Sequence, residues 1–309
     1  MRAVYDIVSV GGITTDLIVR SARLPSPGTC VTATSLHRGL GGKAANQAVA
    51  AARLGGRVAL VGCVGDDDAG REALRRLADE RIGIEHVARC SNVATGAVVL
   101  HRNDAGEKQA VVFPGANAEL RPQAIDAVSP LLAAARVVLL QLEIPLETVE
   151  RVVETIRAGE ARLVLDASPV RANLRVETIR AAAVVKANAA EASAISGIRV
   201  CDAASARAAA ARLLEIGAGL VVLEAGRDGN LFASRSEEMF LPLHEMTAAD
   251  PTGAGDALVG AFAVAMVEGR PLREAAERAC AAAALATRTP RAQSAMPSRA
   301  ELDEWLAAH

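Results

Sequence analysis

The stretch Asp250-Pro251-Thr252-Gly253-Ala254-Gly255-Asp256 places a carboxylate directly after two glycines that bracket an alanine, and the apolar run ALVGAF follows. Taken alone, it reads equally well as a capped helix after a flexible turn, because Asp suits the first turn of a helix. Glycines ahead of a helix also leave backbone N–H groups free to hold an anion. A carboxylate beside such an anion hole is a poor choice for simple phosphate binding, since like charges repel. It makes sense where the carboxylate must take a proton from a nucleophile attacking the phosphate, which is general-base work in phosphoryl transfer. In that reading Asp256 is the base, and the amides of Gly253, Ala254 and Gly255 stabilise charge on the transferred group.

A second segment with chemical content is GLGGKAANQAVAAARLG, residues 39–55. Gly39, Gly41 and Ala44 satisfy the G-x-G-x-x-A pattern of dinucleotide-binding turns. The context is wrong for it: the preceding strand belongs to a hairpin, and no acidic residue ends the next strand, Val58 to Cys63. Nor is the segment a Walker A loop, because Ala44 stands where Ser or Thr is required. A better reading is that Gly41 and Gly42 let backbone approach a ligand. Lys43 and Asn46, three apart, then share one helix face and offer donors to hydroxyls. The plainer reading of Lys43 is a solvated helix start. That reading is harder to sustain for Asn46, which lies in an otherwise apolar helix where Asn has poor propensity.

These segments need a scaffold. Apolar runs recur at residues 5–12, 57–65, 135–143, 161–168, 182–188 and 219–226, and helical patterns ending in Gly lie between them. Runs that are apolar at every position suit strands buried on both faces. Strand–helix alternation predicts an α/β fold with a doubly wound, mainly parallel sheet. Residues 14–38 and 94–115 break the rhythm, each reading as two strands around a turn. They are expected to pair into a small sheet beside the ends of the main strands, as a lid. The expected division is an α/β core of residues 1–13, 39–93 and 116–309 with a lid of 14–38 and 94–115. Asp16 and Glu143 follow presumed strands, at the edge where a polar ligand would sit.

The chain has 309 residues, a net charge of −2 and 51% hydrophobic residues, enough for a sizeable core but with no surplus charge to bind nucleic acid or an anionic membrane. The abundance of Ala and Arg is put down to genome composition. The five cysteines are far apart and read as reduced, mostly buried fillers in a cytoplasmic protein. The N-terminal MRAVYDIVSVGG lacks the apolar core of a signal peptide and reads as a first strand.

GGKAANQAVAAARLG and DPTGAGDALVGAF, some 200 residues apart, together resemble the two signature segments of the ribokinase/PfkB family of sugar and nucleoside kinases. RLPSPGTCVTAT, VGDDDAGREAL, FPGANAEL and QLEIPLETV extend the likeness across nearly the whole chain, and are more similar to the ribokinase branch than to the adenosine or fructose-phosphate branches. The resemblance implies ATP-dependent phosphorylation of a sugar's primary hydroxyl, with D-ribose the leading substrate and a nucleoside or phosphosugar the alternatives. It implies that Asp256 is the base, and that Thr14, Asp16, Gly42, Lys43, Asn46, Glu143 and Asp250 face the sugar. Asn188 and Glu191, in NAAE, would organise magnesium and phosphates through water. Glu224, Gly226 and Gly229 would lie along the nucleotide. Potassium would sit beside the anion hole, held near Asp250, Thr252 and residues 286–294, and the protein would be a homodimer joined through its lids. The chain departs from the pattern at Thr14, where the ribokinase branch typically has Asn, and at Pro251, Glu224 and Pro290-Arg291.

Overall fold

The computed structural model describes residues 5–226, 228–243, 252–288 and 293–309. In chain order its strands are β1 (Ile7–Val10), β2 (Thr14–Ser21), β3 (Ser35–Gly41), β4 (Val58–Gly65), β5 (Gly83–Cys90), β6 (Gly96–Asn103), β7 (Lys108–Phe113), β8 (Val137–Leu140), β9 (Arg162–Asp166), β10 (Val184–Ala187), β11 (Leu220–Glu224), β12 (Gly229–Ser234) and β13 (Glu238–Pro242). Nine of them form one sheet in the order β13-β12-β11-β10-β9-β8-β1-β4-β5. From β11 to β5 every pairing is parallel. Only the β11–β12 and β12–β13 pairings, at one edge, are antiparallel. The strands β1, β4, β8 and β10 are buried at every position, as strands covered by helices on both faces must be.

The order fixes where a ligand belongs. From β1 the chain moves outward to β4 and β5, then returns to the other side of β1 at β8 and proceeds through β9, β10 and β11. The winding therefore reverses between β1 and β8. The crevice outside the C-terminal ends of those strands is the switch point at which open α/β sheets bind ligands.

The two inserted hairpins pair with each other in a second sheet of order β3-β2-β6-β7. The joining pair, β2 and β6, is parallel, from Thr14 opposite Gly96 to Ser21 opposite Asn103. Strand β3 continues to Gly41 and hands the chain directly to the helix Lys43–Arg53. Both sheets thus meet at the switch point, with Thr14 and Asp16 close after β1.

Two helices cross beneath it, Lys43–Arg53 and Ala254–Glu268, and both are largely buried. Their backbones come so close that a Cβ on Gly260 would stand 2.6 Å from Ala50 Cβ and 2.9 Å from the Ala51 nitrogen. Ala44, Ala45, Ala48, Ala50, Ala51, Ala257, Ala261 and Ala263 are at most 3% exposed. The alanine content first put down to genome composition is here a packing requirement: larger side chains would hold these helices apart. The crossing sets Asn46 and Gln47 against Asp256, one turn from the point of closest approach.

The cysteines need a correction. All five are free thiols, but only Cys63 and Cys280 are buried; Cys90 is half-buried, and Cys30 and Cys201 are exposed. Strands β5, β12 and β13 were not expected from the sequence. Among the described residues, no helix is long and apolar enough to cross a membrane.

Candidate active site

Asp256 lies in the first turn of the helix Ala254–Glu268, behind Gly253, whose left-handed φ of 88° ends the preceding turn. It is 5% exposed. Asn46 Nδ2 donates to its Oδ2 at 2.9 Å, and Gln47 Nε2 donates to its Oδ1 at 3.1 Å. Lys43 Nζ stands 4.0 Å from Oδ1. Burial pushes the Asp256 carboxyl above its ordinary range; Lys43 offsets this in part, and Asp166 adds to it. The result is a carboxylate held in place, desolvated and more basic than an ordinary aspartate, as a general base requires.

Behind it lies a charged layer. Asp166, at the end of β9, is wholly buried and pairs with Lys186 of β10 at 3.1 Å and with Lys43 at 3.5 Å. Burial alone would raise the Asp166 carboxyl, but Lys186 and then Lys43 outweigh it and hold it below its usual value. Burial likewise pulls down on the Lys43 ammonium, yet Asp166, Asp256, Glu143 and Glu191 together keep it above its ordinary value. Lys43 therefore carries its charge beside the crevice.

On the sugar side implied by the resemblance, Glu143 follows β8 and accepts a hydrogen bond from the Lys43 backbone nitrogen at 2.7 Å. Burial raises its carboxyl to about 7; Lys43 opposes the shift, and Asp256 and Asp16 add to it. Asp16 accepts from Thr14 Oγ1 at 2.8 Å, and its carboxyl is raised by burial, eased by that bond, and raised again by Asp256. Two glycines make room for these acids. A Cβ on Gly12 would fall 2.3 Å from Glu143 Oε2, and one on Gly41 would fall 2.2 Å from both Asp16 oxygens. Among the described residues, Asn46 Oδ1 is buried without a hydrogen-bond partner. Gly42 sits at the N-cap of the helix Lys43–Arg53 with φ 88°.

Asn188 and Glu191 take part in a capping box on the helix Ala189–Ser196. Asn188 Oδ1 accepts from the Glu191 nitrogen at 2.9 Å, and Glu191 Oε2 accepts from the Asn188 nitrogen at 2.8 Å. The box satisfies two end-of-helix donors and uses one of the two Glu191 oxygens. Glu224 ends β11, and the turn after it closes with the Ala225 nitrogen on Gly229 O at 2.8 Å, Gly226 taking φ 63°. Lys43, Lys186, Asn188, Glu224, Gly253–Gly255 and Asp256 line one cavity of about 620 Å³. Thr252 accepts from Arg102 Nη2 of β6 at 2.9 Å, which ties the second sheet to the loop before the anion hole. Asp250 and Pro251 lie outside the described residues, as do residues 289–292 of the expected potassium segment.

The structure thus brings together Thr14, Asp16, Gly42, Lys43, Asn46, Glu143, Gly253–Gly255 and Asp256, with Asn188 and Glu224 along the cavity and Glu191 buried in the capping box beside Asn188. Sequence reasoning missed Gln47, Gln141, Asp166 and Lys186. A signal for three of them exists: each is a polar residue near the end of a run that is otherwise apolar and buried on both faces.

An open parallel sheet with a buried carboxylate at a glycine-opened helix start, two lysines and a second small sheet beside the switch point defines a ribokinase-like sugar or nucleoside kinase. The chain matches the pfkB family carbohydrate kinases over residues 5–299 and belongs to that family. It is 34% identical to the ribokinase of Bacillus subtilis over 303 residues, which cover 97% of this chain and 99% of the relative. It is 30% identical to the deoxyribokinase of Salmonella typhi, covering 97% of this chain and 98% of that one. The Arabidopsis thaliana ribokinase solved with ribose and ATP superposes with a TM-score of 0.90 at 28% identity, over 98% of each chain.

Proposed function

We propose that this chain transfers the γ-phosphoryl group of ATP to the primary hydroxyl of a pentose, with D-ribose as substrate and ribose 5-phosphate as product. The observation that carries the reading is Asp256, buried and held by Asn46 and Gln47 in the first turn of a helix opened by Gly253-Ala254-Gly255. Asp256 takes the hydroxyl proton as the oxygen attacks. The amides of Gly253, Ala254 and Gly255, with Lys43 and Lys186, stabilise the charge on the phosphoryl group. Asp16, Glu143 and Asn46 receive or supply hydrogen bonds to the sugar hydroxyls, and the partnerless Asn46 Oδ1 suits that use. Asn188, Glu191, Glu224, Gly226 and Gly229 face the nucleotide.

Magnesium would arrive with the nucleotide phosphates and neutralise their charge. Among the described residues no cluster of three or more His, Cys, Asp or Glu could hold a metal alone. That suits magnesium, which keeps several waters and binds through phosphates and one or two carboxylates. Asn188, Glu191 and Glu224 are the residues that would hold it, through water. Of the expected potassium site, Thr252 is the named residue that falls within the described part of the chain.

Thr14 bears on which pentose is used. It is 3% exposed, and its one hydroxyl donates to Asp16 rather than towards a ligand. A ribose hydroxyl left without a partner there costs about 1–3 kcal/mol, roughly five- to a hundredfold in affinity. This observation favours 2-deoxyribose as a second reading, because a sugar with one hydroxyl fewer escapes that cost. The test is ADP release over ribose, 2-deoxyribose, hexose phosphates and nucleosides, for the wild type and Thr14→Asn. We expect pentoses to lead, and the variant to raise kcat/KM for ribose while lowering it for the best other substrate. Nucleosides in front would refute the pentose reading; an unchanged pattern would leave Thr14 only a structural residue at the start of β2.

The second sheet acts in this proposal as a lid and as a dimer surface. It exposes Leu36 at 68%, Val111 at 69%, Val112 at 63% and Phe113 at 49%, and β7 is an exposed edge strand. Pairing with a second copy covers both the apolar face and the open edge. Sedimentation at micromolar concentration is expected to give a dimer, with Val111→Lys shifting it to monomer. A wild-type monomer under those conditions would exclude the arrangement.

A further inference from the structure

Gln47 follows Asn46 on the same helix and is wholly buried. Its Nε2 donates to two carboxylates, Asp256 Oδ1 at 3.1 Å and Asp166 Oδ2 at 2.9 Å. Its Oε1 accepts from Gln141 Nε2 at 2.5 Å, and Gln141, just past β8, is wholly buried too. A primary amide has its donors on one side and its acceptor on the other. By taking the acceptor side, Gln141 leaves the Gln47 donors only one direction, towards the two acids.

We propose that Gln47 is a positioning residue for phosphoryl transfer: directed by Gln141, it fixes one oxygen of Asp256 while Asn46 fixes the other. The inference rests on the reading of Asp256 as the general base. One amide nitrogen serves two neighbouring carboxylates that would otherwise repel, so the plane of the base is set against the fixed Asp166–Lys186 pair. Hydrogen bonds from Gln47 and Asn46 also favour the ionised form of Asp256. The charged and titratable groups that face Asp256 are Lys43 of the same helix as Gln47, Asp166 of β9, Lys186 of β10, Asp16 of β2 and Glu143 after β8. Removing the Gln47 donor leaves all of these groups in place; Asp166 loses the same donor but stays paired with Lys186 and Lys43.

The test uses Gln47→Met and Gln141→Met, which keep side-chain length without the amide, assayed with the best sugar across the pH range. Gln47→Met is expected to lower kcat about 10- to 100-fold. The acid limb of the kcat profile should move to higher pH, with the sugar KM within about threefold. Gln141→Met, which only frees the Gln47 amide to turn, should give a smaller loss of the same kind, and it still tests the idea if Gln47→Met does not fold. In an Asp256→Asn background, Gln47→Met should cost nothing further. A fall in kcat with an unmoved acid limb, or a full additional loss in that background, would overturn the proposal and leave Gln47 a packing residue. Near wild-type turnover of Asp256→Asn alone would instead remove the base itself, a different failure.

Discussion

Asp256→Asn is expected to lower kcat by about two orders of magnitude or more while ATP and sugar binding persist. The fold should tolerate the change, because the site can repair its hydrogen bonds. Gln47 is held in one orientation by Gln141, so the new amide oxygen faces Gln47 Nε2. The new NH2 then faces Asn46, which can turn its partnerless Oδ1 to accept it. Lys43 keeps Asp166 as a partner. What is lost is the capacity to accept a proton. The pH dependence supplies a second check. Burial raises the Asp256 carboxyl above its ordinary 3.8, and only the ionised form is a base. Wild-type kcat should therefore fall as pH drops through that raised value, and the residual rate of the variant should lose that limb. A variant with near wild-type turnover, whose profile still breaks close to the value of about 7 assigned to Glu143, would transfer the role to Glu143.

Much of this site could be read from the chain because its parts are local. The segments 39–55 and 250–262 each carry their chemistry within a few residues of a helix start, where backbone amides, glycine and one polar side chain act together. The central strands were legible for a related reason: β1, β4, β8 and β10 are covered on both faces and read as unbroken apolar runs. Strand β5 was not, because on the sheet edge its GIEHVARC alternates without a clean period and no residue of it is fully buried. Strand β12 begins Gly-Asn and reads as a turn, although five of its six residues are buried against its neighbours. Gln47, in the second layer of the site, was illegible for a different reason. Gln47 reaches Asp166 across 119 residues and Asp256 across 209, and no local pattern announces a partner at that distance. Asn188 and Glu191 show the reverse. Their role was implied by the family resemblance of NAAE, and the structure shows that the same spacing also builds a capping box. Any duty towards phosphates must therefore be shared with the helix cap.

Gly255→Ala is expected to leave the protein folded and yet lower kcat about 100-fold, within the range seen when one donor of an anion hole is disturbed. In most helices the change would be harmless or helpful, since Ala is favoured over Gly by about 0.5–1 kcal/mol. Here the added Cβ would stand 2.8 Å from Lys186 Nζ and 3.4 Å from Lys186 Cε. The ammonium must retreat, but it is held at 3.1 Å by the wholly buried Asp166. The methyl group also projects into the cavity that the transferred phosphoryl group would enter. In the proposed reaction the cost would therefore fall on the group that meets the γ-phosphate, not on the nucleotide as a whole. Titration calorimetry should show ATP affinity weakened by about tenfold or more and ADP affinity nearly unchanged. The melting temperature should move by only a few degrees, because the helix gain offsets part of the strain at Lys186. Equal losses for ATP and ADP would place the crowding elsewhere in the nucleotide cleft. Unchanged turnover would show that neither the Gly255 amide nor Lys186 touches the phosphoryl group, and would confine the anion hole to Gly253 and Ala254.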